Sequence, residues 1–253
     1  GERRLGTVEL PIPYQDIKIF TETQNGFECA AIEDAGIIGA HGPNIFAGYK
    51  RESDNKTAWI NYNGKRWFNS GDLGRFDEDG YLWLTGRQKD LIIRGGHNIV
   101  PAIIEEALPS LDAVEHAAAI GSLDPRVGEV PVAYVTLNPS KSTSPDRLKV
   151  YWTDTLSERA SIPKDVFILD EMPLTAIGKI FKPGLKMRDT DRVLQSVCDA
   201  RLGAERAVVT SAMTPDRGLV AQIKPMGTDF SSDERRQLQS VLKAYTVNWE
   251  IRS

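Results

Sequence analysis

Apolar and polar residues alternate in short runs over the first part of the chain, and glycine-containing turns separate the runs. Ile19 and Phe27 lie in two such runs, with Asn25-Gly26 between them. A period of two is typical of strands with one buried face, and Asn-Gly favours a tight turn. Residues 1 to about 70 are therefore predicted to form a small antiparallel, partly closed β-subdomain, interrupted by a short helix over 54–59.

The middle of the chain changes to a mixed pattern of helices and strands. Pro101 suits a first helical position and begins a predicted helix to Leu108, with Ile103 and Ile104 on its apolar side. Ser144-Pro145 begins a second predicted helix, in which Leu148, Trp152 and Leu156 recur at fourfold spacing. An apolar run lies at residues 91–93, and three strands are predicted around these helices, at residues 114–120, 130–137 and 166–169.

The last part of the chain repeats a mixed pattern. A helix is predicted from Asp191 to Leu202, closed by Gly203. Ser231 and Glu234 have the spacing of a capping box, which predicts a second helix. Strands are predicted at residues 206–211, 219–224 and 247–251. This α-β-β-α-β order predicts a small additional α+β module.

Composition narrows the class of protein. The chain has 253 residues, of which 41% are hydrophobic and 26% charged, as in ordinary soluble globular proteins. A formal net charge of −4 gives no reason to expect nucleic acid as a partner. No apolar run approaches the ~18 residues of a membrane span, and no signal-peptide pattern is present. Cys29 and Cys198 are too few for a disulfide framework or metal site, so the prediction is a cytoplasmic protein without metal ligands.

Turn motifs follow one another closely between Trp67 and Leu108. Asp-Gly between apolar residues is a strong hairpin signal, and double glycine allows close approach of the backbone. The four motifs in chain order are Phe68 to Asp72, Asp77 to Tyr81, Gly86 to Asp90, and Gly95 to Pro101. None of these short motifs is specific when taken alone.

Together, and in this order, the four motifs resemble the core of the AMP-forming acyl-CoA synthetases, which are part of the adenylate-forming enzyme superfamily. Gly42 to Tyr49 resembles the family's G-P-N-x-x-x-G-Y segment. Pro173 to Lys179 matches the family's P-x-T-x-x-G-K signature at every fixed position. The resemblance covers roughly residues 5 to 186 and does not extend over the last 65 residues. One departure is Ile103, where the family pattern more often has glutamate.

The resemblance implies an α+β fold in three parts. A small antiparallel distorted β-barrel subdomain, residues 1–88, ends the large domain of such enzymes. A C-terminal α+β lid domain follows at 89–188, and the extra C-terminal α+β module occupies 189–253. The chain begins at Gly1, and the family's phosphate loop and magnesium-associated glutamate are not found in it. We therefore expect a C-terminal part of an enzyme that is inactive by itself.

The implied reaction has two halves. A carboxylic acid, expected to be a fatty acid, attacks the α-phosphate of ATP to give an acyl-adenylate, and CoA then displaces AMP. The expected cofactors are ATP, CoA and Mg²⁺, the last bound mainly through the absent upstream part. Two alternatives stay open: a ligase that loads a carrier-protein thiol, and a non-catalytic binding or regulatory fragment. The sequence indicates no oligomeric state.

Three residues are assigned to the nucleotide and to catalysis by the resemblance. Asp72 and Arg87 would clamp the ribose, since a carboxylate accepts from two hydroxyls and a guanidinium is a rigid fork of donors. Lys179 would neutralise charge at the α-phosphate during adenylation. Without the resemblance, the simpler interpretations are a turn-capping Asp72, a surface salt bridge for Arg87, and a solvated turn for Lys179.

The remaining candidates surround the domain boundary. Lys89, two residues after Arg87, would be the hinge of the lid. Gly95, Gly96 and His97 would line the CoA side, because residues without side chains let a pantetheine arm pass. Asn98 would lie near the nucleotide. A plain turn is an equally good interpretation of the two glycines, and a solvated loop lysine is the simpler interpretation of Lys89.

Overall fold

A computed structural model describes residues 4–108 and 111–252. The chain folds as two compact units, Gly1–Asp90 and Leu91–Ser253. Among the described residues, the first unit contains one sheet and the second contains two, and each unit is described by itself below. The α+β fold class that the sequence predicts is confirmed.

The first unit is a six-stranded sheet in which every pairing is antiparallel. Its strands are β1 (Asp16–Thr23), β2 (Gly26–Cys29), β3 (Gly36–His41), β4 (Trp59–Tyr62), β5 (Lys65–Phe76) and β6 (Leu82–Arg87). The strand order is β2-β1-β3-β5-β4, and β6 also pairs with β5. The predicted antiparallel β-subdomain is thus confirmed. Its longest strand, β5, pairs with β3, β4 and β6.

The short helix of this unit differs from its prediction. The helix α1 is Glu52–Asn55, and Trp59 begins β4 instead of ending a helix. Trp59 pairs with Phe68 of β5, and the ring of Phe46 lies 5.6 Å from that of Trp59, centroid to centroid. Packing of aromatic residues across strands therefore outweighs the local helix pattern after Asn55.

The second unit contains a five-stranded sheet flanked by helices. Its elements are β7 (Ile92–Arg94), β8 (His97–Ile99), α2 (Pro101–Glu105), β9 (Val114–Asp124), β10 (Gly128–Leu137), α3 (Pro145–Thr155) and β11 (Asp165–Ile168). The order is β11-β10-β7-β8, and β9 pairs with β10 on its other edge. A single turn of 3-10 helix, Gln88–Asp90, ends the first unit, and another, Arg159–Ser161, lies in the second. The central strand β10 therefore positions the β7–β8 hairpin and β11 along one edge.

Helix α3 packs its apolar face against α2 and the sheet. Leu148 and Trp152 are fully buried, as their spacing predicts. Trp152 donates its indole N–H to the carbonyl of Ile104 at 2.8 Å. Ser144 accepts from the backbone N–H of Arg147, so the predicted N-cap is confirmed. Ile103 was expected on the apolar side of α2 but is 47% exposed. Successive helical residues point in directions about 100° apart, and in this short helix Pro101 and Ile104 occupy the buried face.

A long helix, α4 (Lys182–Leu202), connects the sheet to the C-terminal strands. It begins nine residues before the predicted Asp191, and it ends at Gly203 as predicted. Leu185 is buried against the β9–β10 face, whereas Leu194 and Cys198 are buried against the C-terminal strands. One continuous helix therefore contributes to two cores, and the predicted division between residues 188 and 189 falls in its interior.

The C-terminal module consists of β12, β13, α5 and β14, packed on the second half of α4. The bounds are β12 (Ala207–Thr214), β13 (Gly218–Pro225), α5 (Ser232–Leu242) and β14 (Asn248–Ile251). Both hydrogen bonds of the capping box between Ser231 and Glu234 are present. The predicted element order and capping box are confirmed.

The module follows the same connectivity as the sheet before it. β9 and β10 form a hairpin with residues 125–127 as its loop, and β12 and β13 form one with residues 215–217. In each case a helix then crosses over to a third strand, which pairs in parallel with the second strand of the hairpin. Strand–helix–strand crossovers of this kind are typical of two-layer α+β units.

Side chains of α4 occupy the free edge of β12. Gln195 donates its amide to the carbonyl of Ala207 at 2.8 Å and accepts from the N–H of Val209 at 2.9 Å. It thus satisfies the two backbone groups that a neighbouring strand would otherwise pair. Although α4 is the longest helix, it is rich in charged residues. Within the described ranges, no helix has the length and apolarity of a membrane span.

Candidate functional site

Asp72 and Arg87 lie opposite each other on adjacent strands. β5 carries Asp72, β6 carries Arg87, and the two are direct partners in the register. Arg87 Nε lies 3.2 Å from Asp72 Oδ1, with 58% of the arginine and 34% of the aspartate side chain exposed. The structure thus brings this predicted pair together and leaves both ends accessible to a ligand with hydroxyl groups.

Two successive side-chain turns fix the backbone before Asp72. Asn69 Oδ1 accepts from the N–H of Gly71 at 2.9 Å, and Ser70 Oγ accepts from the N–H of Asp72 at 3.1 Å. Ser70 also donates to the carbonyl of Ile38 at 2.9 Å. Gly71 has φ +75°, a conformation that glycine adopts without strain.

Sequence analysis missed the role of Asn69 in this turn. Its amide donates to Gln88 Oε1 at 3.3 Å, next to Arg87. Asn and Ser commonly bond the N–H two residues on, so Asn69-Ser70 before Gly71-Asp72 is the sequence signal for this arrangement. The turn therefore holds Asp72 and the end of β6 in one rigid arrangement.

Lys89 lies at the junction of the two units. It is exposed and occupies the centre of the 3-10 turn Gln88–Asp90, directly after β6. The second unit begins at Leu91. A single 3-10 turn has few internal hydrogen bonds to lose, which suits a position where the chain changes direction. The hinge itself stays a prediction.

Gly95 and Gly96 form a two-residue hairpin turn between β7 and β8. Their φ values are +58° and +86°, and the flanking residues Arg94 and His97 are paired. Positive φ at both positions is the requirement of a type I′ turn, which explains why two glycines stand here. A Cβ atom added at Gly96 would meet no neighbouring atom within 4 Å. The turn is therefore structural and also open to a ligand on one side.

The sides of this hairpin are anchored while its tip stays open. The N–H of Gly95 donates to the carbonyl of Val127 at 2.7 Å, and that of Ile93 donates to Glu129 Oε2 at 3.0 Å. Asn98 is exposed on β8, opposite Ile93 in the register. Three predicted residues, Gly95, Gly96 and Asn98, thus share one hairpin, together with His97.

His97 contacts a carboxylate that sequence reasoning missed. Its Nε2 contacts Oε1 of Glu158, in the connection between α3 and β11. The hydroxyl of Ser161 donates to the other oxygen of Glu158. Hydrogen bonds from Ser161 and His97 lower the pKa of Glu158, against the opposing effect of burial. No local signal could reveal this pair, because 61 positions separate its two members.

Lys179 lies on a compact loop that Thr175 braces from inside. The N–H of Thr175 donates to the carbonyl of Lys179 at 2.7 Å, and Thr175 Oγ1 accepts from the N–H of Lys179 at 3.1 Å. Gly178 has φ +76° and closes the turn by donating to the carbonyl of Thr175 at 2.9 Å. The fixed Thr, Gly and Lys of the motif therefore have distinct structural roles. The backbone of Lys179 is held by hydrogen bonds, and its side chain is exposed.

The same loop exposes apolar side chains beside Lys179. Ile177 is 78% exposed and Leu174 is 46% exposed. Exposed apolar side chains that lie together can mark an interaction surface. The structure places Lys179 and the β7–β8 hairpin on one unit and the Asp72–Arg87 pair on the other.

Each unit offers its own chemistry and is considered by itself. The first unit offers a carboxylate and a guanidinium suited to hydroxyl groups. The second offers a mobile cation, an open glycine turn and an imidazole held by a carboxylate. Cations and oriented donors of this kind stabilise charge that develops on a phosphate or a carboxylate.

A family model and individual relatives match this chain. Residues 103–179 match the model described as AMP-binding enzyme C-terminal domain. The marinolic acid–CoA ligase of Pseudoalteromonas sp. is 49% identical over 189 residues, which is 74% of this chain and 28% of that protein. The medium-chain fatty-acid–CoA ligase of Escherichia coli is 33% identical over 184 residues, 69% of this chain and 32% of that protein.

A solved structure matches as well. It is the O-succinylbenzoate coenzyme A synthetase of Bacillus subtilis in complex with ATP and magnesium ion. The TM-score is 0.60 at 36% identity, over 72% of this chain and 36% of that one. The chain thus spans about a third of the length of the relatives it matches.

Proposed function

We propose that this chain, whose residues 103–179 match the AMP-binding enzyme C-terminal domain, is the C-terminal part of an acid–CoA ligase. The whole protein would activate a carboxylic acid with ATP to an acyl-adenylate and then transfer the acyl group to CoA. The observation that carries the proposal is the braced loop that presents Lys179 at the end of the matched domain. The similarity to ligases of three different acids supports it.

Lys179 is assigned to the first half-reaction. There an anionic carboxylate approaches an anionic α-phosphate, and a cation fixed near both lowers the barrier. The two hydrogen bonds between Thr175 and Lys179 hold the backbone, so that only the side chain has to be ordered when ATP binds. Preorganisation of this kind reduces the entropy cost of reaching the transition state.

Asp72 and Arg87 are assigned to the ribose of the nucleotide. Their side chains already point to one place, since Arg87 Nε lies 3.2 Å from Asp72 Oδ1. A ribose diol could donate to the carboxylate while the remaining guanidinium N–H groups bind a ribose oxygen. Asn98 is assigned to the nucleotide as well, from its exposed place on β8.

The β7–β8 hairpin is assigned to the second half-reaction. Gly95 and Gly96 would let the pantetheine arm of CoA pass against the backbone, and His97 would lie beside that route. Lys89 would be the hinge about which the second unit changes position between the half-reactions. Its place one residue before the end of the first unit supports that role.

Mg²⁺ is expected to accompany ATP. Among residues 4–108 and 111–252, no three side chains of the kinds that bind metals converge. We therefore assign no residue of this chain to the ion. We further propose a fatty acid as the substrate and a cytoplasmic location. The match to the medium-chain fatty-acid–CoA ligase of E. coli supports the acid.

The test uses the full-length protein and separates the two half-reactions. Pyrophosphate release is measured from ATP and a panel of carboxylic acids, and thioester formation from synthetic acyl-adenylate and CoA. Lys179→Ala should lower pyrophosphate release by about 10²–10³-fold, as removal of one preorganised stabilising group does. It should leave thioester formation near the wild-type rate.

Lys224→Ala is the matched control, since this exposed lysine lies on β13, far along the chain from the loop. It should change neither half-reaction. Absence of adenylate formation with every acid of the panel would contradict the proposed function. Replacing CoA by a carrier-protein thiol in the second assay tests the alternative acceptor.

A further inference from the structure

The connection between α3 and β11 holds the β7–β8 hairpin at two points. His97 Nε2 contacts Glu158 Oε1, and Arg94 Nη1 donates to the carbonyl of Ala160 at 2.9 Å. Arg94 and His97 are the residues on either side of the Gly95-Gly96 turn. The connection therefore fixes the direction of the imidazole beside the open turn, while the turn itself carries no such contact at Gly96.

The contacts of Glu158 determine the protonation of the ring. Glu158 receives a hydrogen bond from Ser161 on its second oxygen, and these contacts lower its pKa. An ionised carboxylate is only an acceptor, so His97 Nε2 must carry the hydrogen that the pair shares. In the neutral imidazole the other nitrogen, Nδ1, is then an acceptor. The side chain of His97 is 54% exposed, so a ligand can reach it.

We propose that His97 is the base that accepts the thiol proton in the second half-reaction, and that Glu158 is its positioning residue. This inference rests on the proposed function, because it needs the Gly95-Gly96 turn to face the thiol. In the step, sulfur forms a bond to the acyl carbonyl carbon and the S–H proton moves to Nδ1. The bond between that carbon and the phosphate oxygen breaks, and AMP leaves with the electron pair. The carboxylate of Glu158 stabilises the imidazolium that results.

The chemistry of thiols explains why a base is useful here. The thiolate is the nucleophile, and an ordinary thiol with a pKa of about 8.5 is mostly protonated at neutral pH. Imidazole has an ordinary pKa of about 6.5, which suits proton transfer near pH 7. A carboxylate that accepts from Nε2–H holds the ring in the tautomer in which Nδ1 is the acceptor. The first half-reaction starts from an ionised acid and needs no such proton acceptor.

The test measures the two half-reactions separately in the full-length protein. His97→Gln should slow thioester formation from synthetic acyl-adenylate and CoA by about 10²-fold, the lower range for loss of a general base. Glu158→Gln should slow it by about tenfold, since an exposed pair contributes less than the buried pair of a serine protease. Glu158→Asp should restore part of that loss. Pyrophosphate release from acid and ATP should stay unchanged in all three.

Chemical rescue distinguishes a proton acceptor from a binding residue. His97→Gly opens the position of the ring, and added imidazole should raise the rate of thioester formation with this variant. It should not raise the rate of the wild type. A matched control is a second histidine–glutamate pair, where His116 Nδ1 lies 3.8 Å from Glu115 Oε2 on β9. Glu115→Gln should change neither half-reaction.

The outcomes separate this inference from the proposed function. A wild-type rate of thioester formation with His97→Gln would overturn the inference and leave the ligase assignment standing. Equal losses in both half-reactions would show a purely structural role and would also overturn it. A wild-type protein that forms neither adenylate nor thioester would overturn the ligase assignment itself, and the inference with it. If the Glu158 variants do not fold, His97→Gln decides, because its ring is exposed.

Discussion

Asp189 of α4 is a buried acceptor whose removal should weaken the second unit. Its side chain is 2% exposed. It accepts from the hydroxyl of Tyr134 at 2.8 Å and from Arg192 at 2.7 and 3.1 Å. Burial and the neighbouring Asp189 raise the pKa of Tyr134, so its hydroxyl remains a donor throughout the ordinary pH range. Asp189→Ala therefore removes the acceptor from one buried hydroxyl and one cation together.

The size of the effect follows from the exposure of the two donors. Tyr134 is 1% exposed, and an unsatisfied buried donor costs about 1–3 kcal/mol. Breaking a fully buried ion pair costs about 3–5 kcal/mol, but this is an upper bound because Arg192 is 41% exposed and can be hydrated. Alanine is the better helix former by about 0.5 kcal/mol, which offsets part of the loss. We expect the free energy of unfolding to fall by about 2–4 kcal/mol.

Urea denaturation measures the fall in the free energy of unfolding. Hydrogen exchange of the β10 amides reports on the second unit alone. Asp112→Ala is the control, since Asp112 pairs with Lys141 at 2.6 Å but is 82% exposed. That change should cost about 0–1 kcal/mol, as surface pairs do. Adding Tyr134→Phe to Asp189→Ala should recover about 1 kcal/mol, because the orphaned hydroxyl is then gone. A loss from Asp189→Ala no larger than that of the control would refute the reasoning.

Three further predictions concern the proposed hinge, the module boundary and acid stability. Lys89→Pro, which fixes φ near −65°, should slow thioester formation more than adenylation in the full-length protein; equal losses, or none, would contradict the hinge. A chain ending after residue 203 should melt at a higher temperature than one ending after 188, because only the longer chain keeps Asp189. Arg206 holds the pKa of Glu234 at about 2, below its ordinary value, so this pair stabilises the fold above pH ~4.5 and the stabilisation is lost as the pH falls towards 2. Glu234→Gln should therefore lower the melting temperature at pH 7 and have little effect near pH 2, as thermal scans across that range would show.

Local signals in the sequence were sufficient for most elements of the fold. Ser144 before Pro145, and Ser231 three residues before Glu234, locate two helix starts because capping depends on residues close in sequence. The start of α4 was missed because Lys182, Pro183 and Gly184 have the composition of a turn. Burial of Leu185 against the β9–β10 face stabilises the helix there, and a local pattern does not contain that contact.

The functional residues also divide into those that local motifs predict and those that depend on contacts between distant residues. The turn at Gly95-Gly96 and the loop around Lys179 follow from short motifs, since each is closed by bonds within a few residues. Glu158 could not be predicted, because β9, β10 and α3 separate it from His97 in the sequence. The pairing of Asp72 with Arg87 lies between these cases. A hairpin predicts that the two strands are neighbours, but the register sets which residues face each other.

The amide of Gln195 gives β12 the hydrogen bonds of a neighbour without adding a strand. An uncovered edge strand can recruit the edge of another molecule, and growth of such a sheet has no natural end. Here a helix of the same chain occupies those two backbone groups first. Gln195→Ala would free them while leaving the apolar core of the module intact. The consequence concerns resistance to aggregation more than the fold. Such a variant would stay native in dilute solution and aggregate faster when concentrated, and light scattering would measure the difference.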